Sequence, residues 1–202
     1  METIKFSKDE KDAIVSTIKS GGLVAIMTDT VYGLAADSSQ DELYEKLQKA
    51  KGRPADKPFP LMVSSYQQIE DIAVIGERER RLIHAFMPGA CTFIFKIKEG
   101  VFPFLSKQST IGIRMADDQW VLDLIEGIGS PIWLPSANLS GLETALNSDM
   151  VIDQLDGKIE GVVLGKASGR QSSSVFDLSG ESIVCLREGP LSLEEVLKEE
   201  SR

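Results

Sequence analysis

Histidine and cysteine are almost missing from this sequence: 202 residues contain one His and two Cys. Cys91 and Cys185 can form at most one bridge, so the chain is not a disulfide scaffold. Even with His84 they fall short of the ligands a structural zinc site needs. A reducing compartment fits that usage. His84 lies in a stretch rich in Arg and Glu and reads as a surface or boundary residue, which leaves a Ser-His-Asp hydrolase without a credible base. The GxGxxG fingerprint, the Gly-rich phosphate loop ending in Gly-Lys-Ser/Thr and the GxSxG elbow are all absent. No apolar run approaches the roughly eighteen residues of a membrane span, and METIKFSKDEKDA lacks the apolar core of a signal peptide. A soluble cytoplasmic protein with no membrane partner is the expectation. Positive charge is also scarce, with 22 basic residues against 31 acidic ones and a net charge of −9. That balance argues against binding nucleic acid through a uniformly basic surface, and 6% aromatic residues leave little for a single-strand stacking platform.

What is present is a foldable chain. A hydrophobic fraction of 42% at this length supports a core without metals or disulfides. After Ser7, Ile14, Val15 and Ile18 share one helical face, and Gly21-Gly22 ends it. LVAIMT is a buried-strand run that delivers the polar loop TDTVYG, and residues 41–50 return to helical spacing. Further strands are predicted at FPLMVS, CTFIFKI, TIGIRM, SPIWLPS, IEGVVLG, SSVFDLS and ESIVCLR. Helices are predicted at 76–87, 117–127 and 191–199, and near 147–156. This alternation predicts an α/β sheet with helices packed on it, partly antiparallel where strands follow closely, in a single domain over 1–202. Cys91 and Cys185, each inside an apolar strand, read as inert core thiols.

Charge is the most informative local feature. Between positions 46 and 57, Lys46, Lys49, Lys51, Arg53 and Lys57 face a single Asp56 in an otherwise acidic chain. Lys46 and Lys49 read as cations near a helix C-terminus. Lys51-Gly52-Arg53-Pro54 places two cations where Pro stops the helix, and with Lys57 they suit a polyphosphate, Arg as a fork and Lys as a point charge. In Pro135-Ser136-Ala137-Asn138, Ser and Asn two apart at a strand end can aim a hydroxyl and an amide at one ligand, or simply make a turn. Thr28, Asp29 and Thr30 in TDTVYG likewise read as capping or turn residues.

Taken together, TDTVYGLAAD, KGRPADKP, MPGACTFIF, TIGIRM, PSANLSG, SSVFDL and CLREGP resemble, in order and spacing, the YrdC-like threonylcarbamoyl-adenylate synthase family, also called TsaC. The resemblance spans about residues 10–190. It implies a YrdC-like twisted mixed sheet around a concave, positively lined cavity. It implies an enzyme that joins L-threonine, bicarbonate and ATP, with Mg²⁺, into threonylcarbamoyl-AMP and pyrophosphate, the threonylcarbamoyl group then passing through other proteins to a tRNA adenosine. Carried over by motif, Lys51, Arg53, Ser136 and Asn138 form the catalytic Lys-x-Arg and Ser-x-Asn tetrad. Lys57, Thr110, Thr144 and Arg187 join Arg53 and Ser136 around ATP. Thr30, Arg114, Ser173 and the backbone at Leu134 contact threonine, with Arg114 pairing its carboxylate.

Departures from the family pattern are SSVFD for STVVD, MPGACT for WPGPLT, IRMAD without a following Pro, and GKASGRQ in place of a Gly-Gly pair. The chain ends soon after CLREGP, so the extra C-terminal domain of longer synthases is expected to be absent. Two alternatives stand beside this reading. One is a non-catalytic double-stranded RNA-binding module, against which bulk charge weighs. The other is a YciO-like relative with a different nucleotide-dependent reaction, against which the retained Lys-x-Arg and Ser-x-Asn weigh.

Overall fold

In a computed structural model, which describes residues 2–54, 57–105 and 107–202, the longest apolar runs become strands of one twisted mixed sheet. In chain order, the described residues form β1 (Ile4–Phe6), α1 (Lys11–Lys19), β2 (Val24–Ile26), β3 (Gly33–Asp37), α2 (Glu42–Lys51) and β4 (Leu61–Met62). They continue with α3 (Tyr66–Ile72), α4 (Glu77–Phe86), β5 (Cys91–Lys96), β6 (Thr110–Arg114), α5 (Gln119–Ile128) and β7 (Ile132–Trp133). The chain closes with α6 (Ser148–Leu155), β8 (Gly161–Val163), β9 (Ser174–Asp177), β10 (Val184–Arg187) and α7 (Leu193–Glu200).

The strand order is β1-β8-β2-β3-β7-β4-β6-β5-β9-β10. The β1/β8, β2/β8, β4/β6 and β5/β9 pairs are parallel and the others antiparallel. The predicted neighbours SSVFDLS and ESIVCLR do form an antiparallel pair, with a register shift between Cys185 and Arg187. β2 and β3 are buried along their whole length, α1 packing on both and on α5, and α2 packing on β3. Strands covered on both faces need no polar alternation. Helix starts use local acceptors: the side chains of Ser65, Asn147 and Ser192 accept the backbone N–H of Gln68, Met150 and Glu195.

Three elements were not anticipated. β3 is GLAAD, mostly small residues without the β-branched signature, yet buried along its whole length. β1 is a three-residue edge strand and α3 a seven-residue helix, both too short to show a period. The thiol expectation holds for Cys91, which is buried, and needs correction for Cys185. That residue is half-buried on the edge strand β10, where Val184 and Leu186 are exposed. His84 lies exposed against Tyr66, as expected of a boundary residue.

Candidate functional site

Where β2 ends, Thr28 folds the chain back on itself. Its Oγ1 accepts the N–H of Thr30 and Val31 at 3.1 and 3.3 Å and donates to the Val31 carbonyl at 2.7 Å. This is the turn chemistry expected of TDT. It brings Thr30 into contact with Arg114 at the end of β6: Nη1 of Arg114 donates to Thr30 Oγ1 at 2.6 Å and Nη2 to Asp29 Oδ1 at 2.6 Å, while Nε donates to the Gly89 carbonyl at 3.0 Å. Arg114 is 6% exposed. Burial pushes its proton affinity down, and the neighbouring Asp29 carboxylate opposes that shift.

Gly169 holds this loop from the far side. A Cβ there would lie 2.5 and 2.6 Å from the carbonyl oxygens of Thr30 and Asp29, so only glycine lets the 165–172 segment pass so close. Gly33 plays the same part under Leu134, whose side chain would meet a Cβ at 2.6 Å.

These contacts wall a small cavity of about 70 Å³, lined by Thr30, Val31, Pro60, Leu61, Met62, Thr92, Arg114, Leu134, Ser136, Ser172, Ser173 and Arg187. That is room for a small solute and far from the roughly 300–1,000 Å³ of pockets that enclose larger ligands. Hydroxyls and guanidinium groups bond to one another around it. Ser173 Oγ shares a hydrogen bond with Thr92 Oγ1 at 2.9 Å, and Arg187 donates to the Ser173 carbonyl and hydroxyl at 2.9 and 3.3 Å. Arg187 stands at the rim, its proton affinity lowered by partial burial and by the charge of Arg114.

All four residues expected to contact an amino acid, Thr30, Arg114, Leu134 and Ser173, therefore meet at one place, with Ser136 and Arg187 from the nucleotide set. Thr92 and Met62 also line it and were missed. Each sits in a strand run that reads as core, and only the pairing of β4 and β5 with β6 carries them to the cavity wall.

The tetrad is split. α2 ends in the left-handed Gly52, which leaves Lys51 facing inward and Arg53 beyond the helix. Lys51 is 1% exposed, and its ammonium donates to the carbonyls of Ser136 and Asn138, the latter at 2.6 Å. Burial first, and the charge of Arg53 second, pull its pKa down to about 7. Asn138 also serves the loop: Nδ2 donates to the carbonyls of Leu139 and Leu142, and Oδ1 accepts from Ser136 Oγ at 2.5 Å. Arg53 lies over the Phe59 ring, 5.2 Å from its centre, and donates to the carbonyls of Lys57 and Pro58. Lys57 is exposed, and Asp56, the lone acid of the basic segment, lies outside the described residues.

Of the remaining nucleotide expectations, Thr110 and Thr144 do not line the cavity. Thr110 opens β6, four residues and so about 13 Å along the strand from Arg114. Thr144 follows the Ser136–Leu142 loop, next to Ala145, whose carbonyl accepts the Tyr32 N–H.

Residues 16–189 match the Sua5/YciO/YrdC family model, described as "Telomere recombination". A Bacillus subtilis protein named threonylcarbamoyl-AMP synthase is 35% identical over 183 residues, covering 89% of this chain and 53% of the relative. A Photobacterium profundum protein of the same name is 30% identical over 186 residues, covering 90% of this chain and all of the relative. The crystal structure of Pyrococcus abyssi Sua5 complexed with L-threonine superposes with a TM-score of 0.89 at 33% identity, covering 98% of this chain and 60% of that one. The chain thus spans about half the length of the first two curated relatives it matches.

Proposed function

The chain belongs to the Sua5/YciO/YrdC family, and from that premise we propose that it is a threonylcarbamoyl-AMP synthase acting in the cytoplasm. The reaction takes L-threonine, bicarbonate and ATP to threonylcarbamoyl-AMP, pyrophosphate and water, a nucleotidyl transfer whose product other proteins carry to tRNA. One observation carries the reading: a small cavity of about 70 Å³ in which Thr30, Arg114, Leu134 and Ser173 come together.

In this proposal Arg114 receives the threonine carboxylate and Ser173 with Thr30 meets its polar atoms. The apolar side chains of Val31, Met62 and Leu134 face its methyl group. The cavity is too small for a nucleotide, so ATP lies over its rim, with Ser136 and Arg187 between the two substrates. Arg53 and Lys57 approach the phosphates from the open loop. Lys51 and Asn138 serve by holding the peptide that carries Ser136. Thr110 and Thr144 stay in the nucleotide set on the strength of the resemblance alone.

The amine of threonine attacks bicarbonate, or an activated form of it, to give a carbamate and water. A carbamate oxygen then displaces pyrophosphate at the α-phosphorus. Such a displacement is served by positioning and charge neutralisation and needs no protein nucleophile. Burial pushes the Cys91 thiol up to about 12, which keeps it protonated and inert. Among the described residues no group of three His, Cys, Asp or Glu side chains could hold a metal ion. Mg²⁺ is therefore proposed only as the ion that ATP carries on its own phosphates, with water completing its shell.

The test is pyrophosphate release in the presence of ATP and Mg²⁺, with threonine and bicarbonate omitted in turn. Release that needs both is expected. Nucleotide turnover indifferent to threonine would indicate a different nucleotide-dependent reaction, and salt-sensitive double-stranded RNA binding without turnover would indicate a binding module. Arg53→Ala should abolish release while leaving folded protein. Survival of activity in that variant would remove Arg53 from the site.

A further inference from the structure

Asp29 has no place in the reaction so far, does not line the cavity, and yet makes the closest charged contact of the guanidinium that does. Its Oδ1 lies 2.6 Å from Arg114 Nη2, with side-chain exposures of 13% for Asp29 and 7% for Arg114. We infer that Asp29 is the positioning residue of the amino-acid site: it fixes Arg114 from behind so that the remaining N–H groups meet a substrate carboxylate from the front. This inference rests on the amino-acid reading of the cavity given above.

The donor count supports it. A guanidinium has five N–H groups. Nε goes to the Gly89 carbonyl, one N–H of Nη1 to Thr30 and one of Nη2 to Asp29, which leaves one on each terminal nitrogen for a ligand. Asp29 is itself held. Its Oδ2 accepts the N–H of Asp117 at 3.3 Å, and its backbone is pinned by the close passage of Gly169 and by the Ser168 N–H on the Thr28 carbonyl. A carboxylate on a fixed loop, paired to a buried arginine, both keeps that cation charged against desolvation and denies it other rotamers.

The sign of the effect on threonine separates this role from simpler ones. If Asp29 were only a nearby negative charge, removing it would strengthen carboxylate binding. If it only stabilised the fold, its loss would weaken the protein without selectivity for one substrate group. A positioning role requires that Asp29→Asn, which keeps the shape and one acceptor, raise KM for L-threonine by about tenfold or more while kcat and the KM for ATP move less than about threefold.

The decisive readout compares L-threonine with L-threoninamide, which lacks the carboxylate. The ratio of their binding constants to the whole protein, measured by calorimetry, should collapse by about tenfold in Asp29→Asn relative to wild type. An unchanged ratio, or tighter threonine binding, overturns the inference. If Asp29→Asn does not accumulate as folded protein, Asp29→Glu, which keeps the charge but moves it by one methylene, should show the same collapse in part, and a wild-type ratio in that variant overturns the inference equally. A wild-type protein that neither binds nor consumes threonine overturns the amino-acid reading itself, and the role of Asp29 with it.

Discussion

The cavity around Arg114 and the open loop around Arg53 are two arginine-bearing regions built on opposite terms. In the cavity the polar groups hold one another: Arg114 is held by Asp29, Thr30 and Gly89, and Ser173 by Thr92 and Arg187. On the loop, Arg53 leans on an aromatic face and on backbone carbonyls, and Lys57 stands in solvent. The first arrangement suits a small ligand that must be oriented closely. The second suits a large, highly charged one that arrives from solvent and brings its own counter-ion. Preorganisation is placed where the ligand offers few handles, and long-range attraction where it offers many.

The comparison breaks most severely on the closed side. Arg114→Ala strands Asp29 without its partner, and stability to urea should fall by about 3–5 kcal/mol, with loss of threonine-dependent turnover. If the fold tolerated that change at under about 1 kcal/mol, the cavity would not be a preorganised site. Next is Lys51→Met. It removes the donor shared by the carbonyls of Ser136 and Asn138, and a cost of about 1–3 kcal/mol is expected from leaving those groups unpaired.

Lys51 also predicts a pH dependence. Its pKa falls from the ordinary 10.5 to about 7 on folding. Between those values the unfolded chain binds the extra proton, so this residue makes stability rise with pH across that window, with no further gain above about 10.5. Urea titrations at pH 7 and pH 10 should show wild type gaining on Lys51→Met. Parallel curves would mean that the ammonium stays charged in the fold. The smallest effect belongs to the open side: Lys57→Ala should change stability by under about 0.5 kcal/mol and raise the KM for ATP by only about twofold to threefold.

The same contrast describes what could be read from the sequence. Long apolar runs such as CTFIFK and TIGIR became β5 and β6, because pattern and burial coincide there. The strand GLAAD could not be seen, since its small residues answer to neighbours distant in the chain. Thr30, Arg114, Leu134 and Ser173 were singled out only through the family resemblance of their motifs, since residue by residue Thr30 read as a turn and the others as strand or loop, and the fold brings all four to one cavity. Thr92 and Met62 were not singled out, because strand pairing places them, and Asp29 was legible only as a turn residue beside Thr28. Lys51 and Arg53 are two residues apart and looked alike as cations. Gly52 and Pro54 marked the helix end, but the separation into a buried donor and a rim cation depends on α2 running one residue past the predicted 41–50, so that Lys51 is still helical and Arg53 is not.

That stop gives α2 the character of a phase marker. Leu47, fully buried, anchors the helix one turn before Lys51, and the left-handed Gly52 ends it. A single residue inserted between Leu47 and Lys51 would advance the following side chains by about 100° around the axis. It would swing the ammonium away from the Ser136 loop and turn a neighbour inward, although every residue of the Lys-x-Arg motif would still be present. The spacing to protect in any redesign of this protein is therefore the count from Leu47, and the two cations keep their separate duties only while that count is kept.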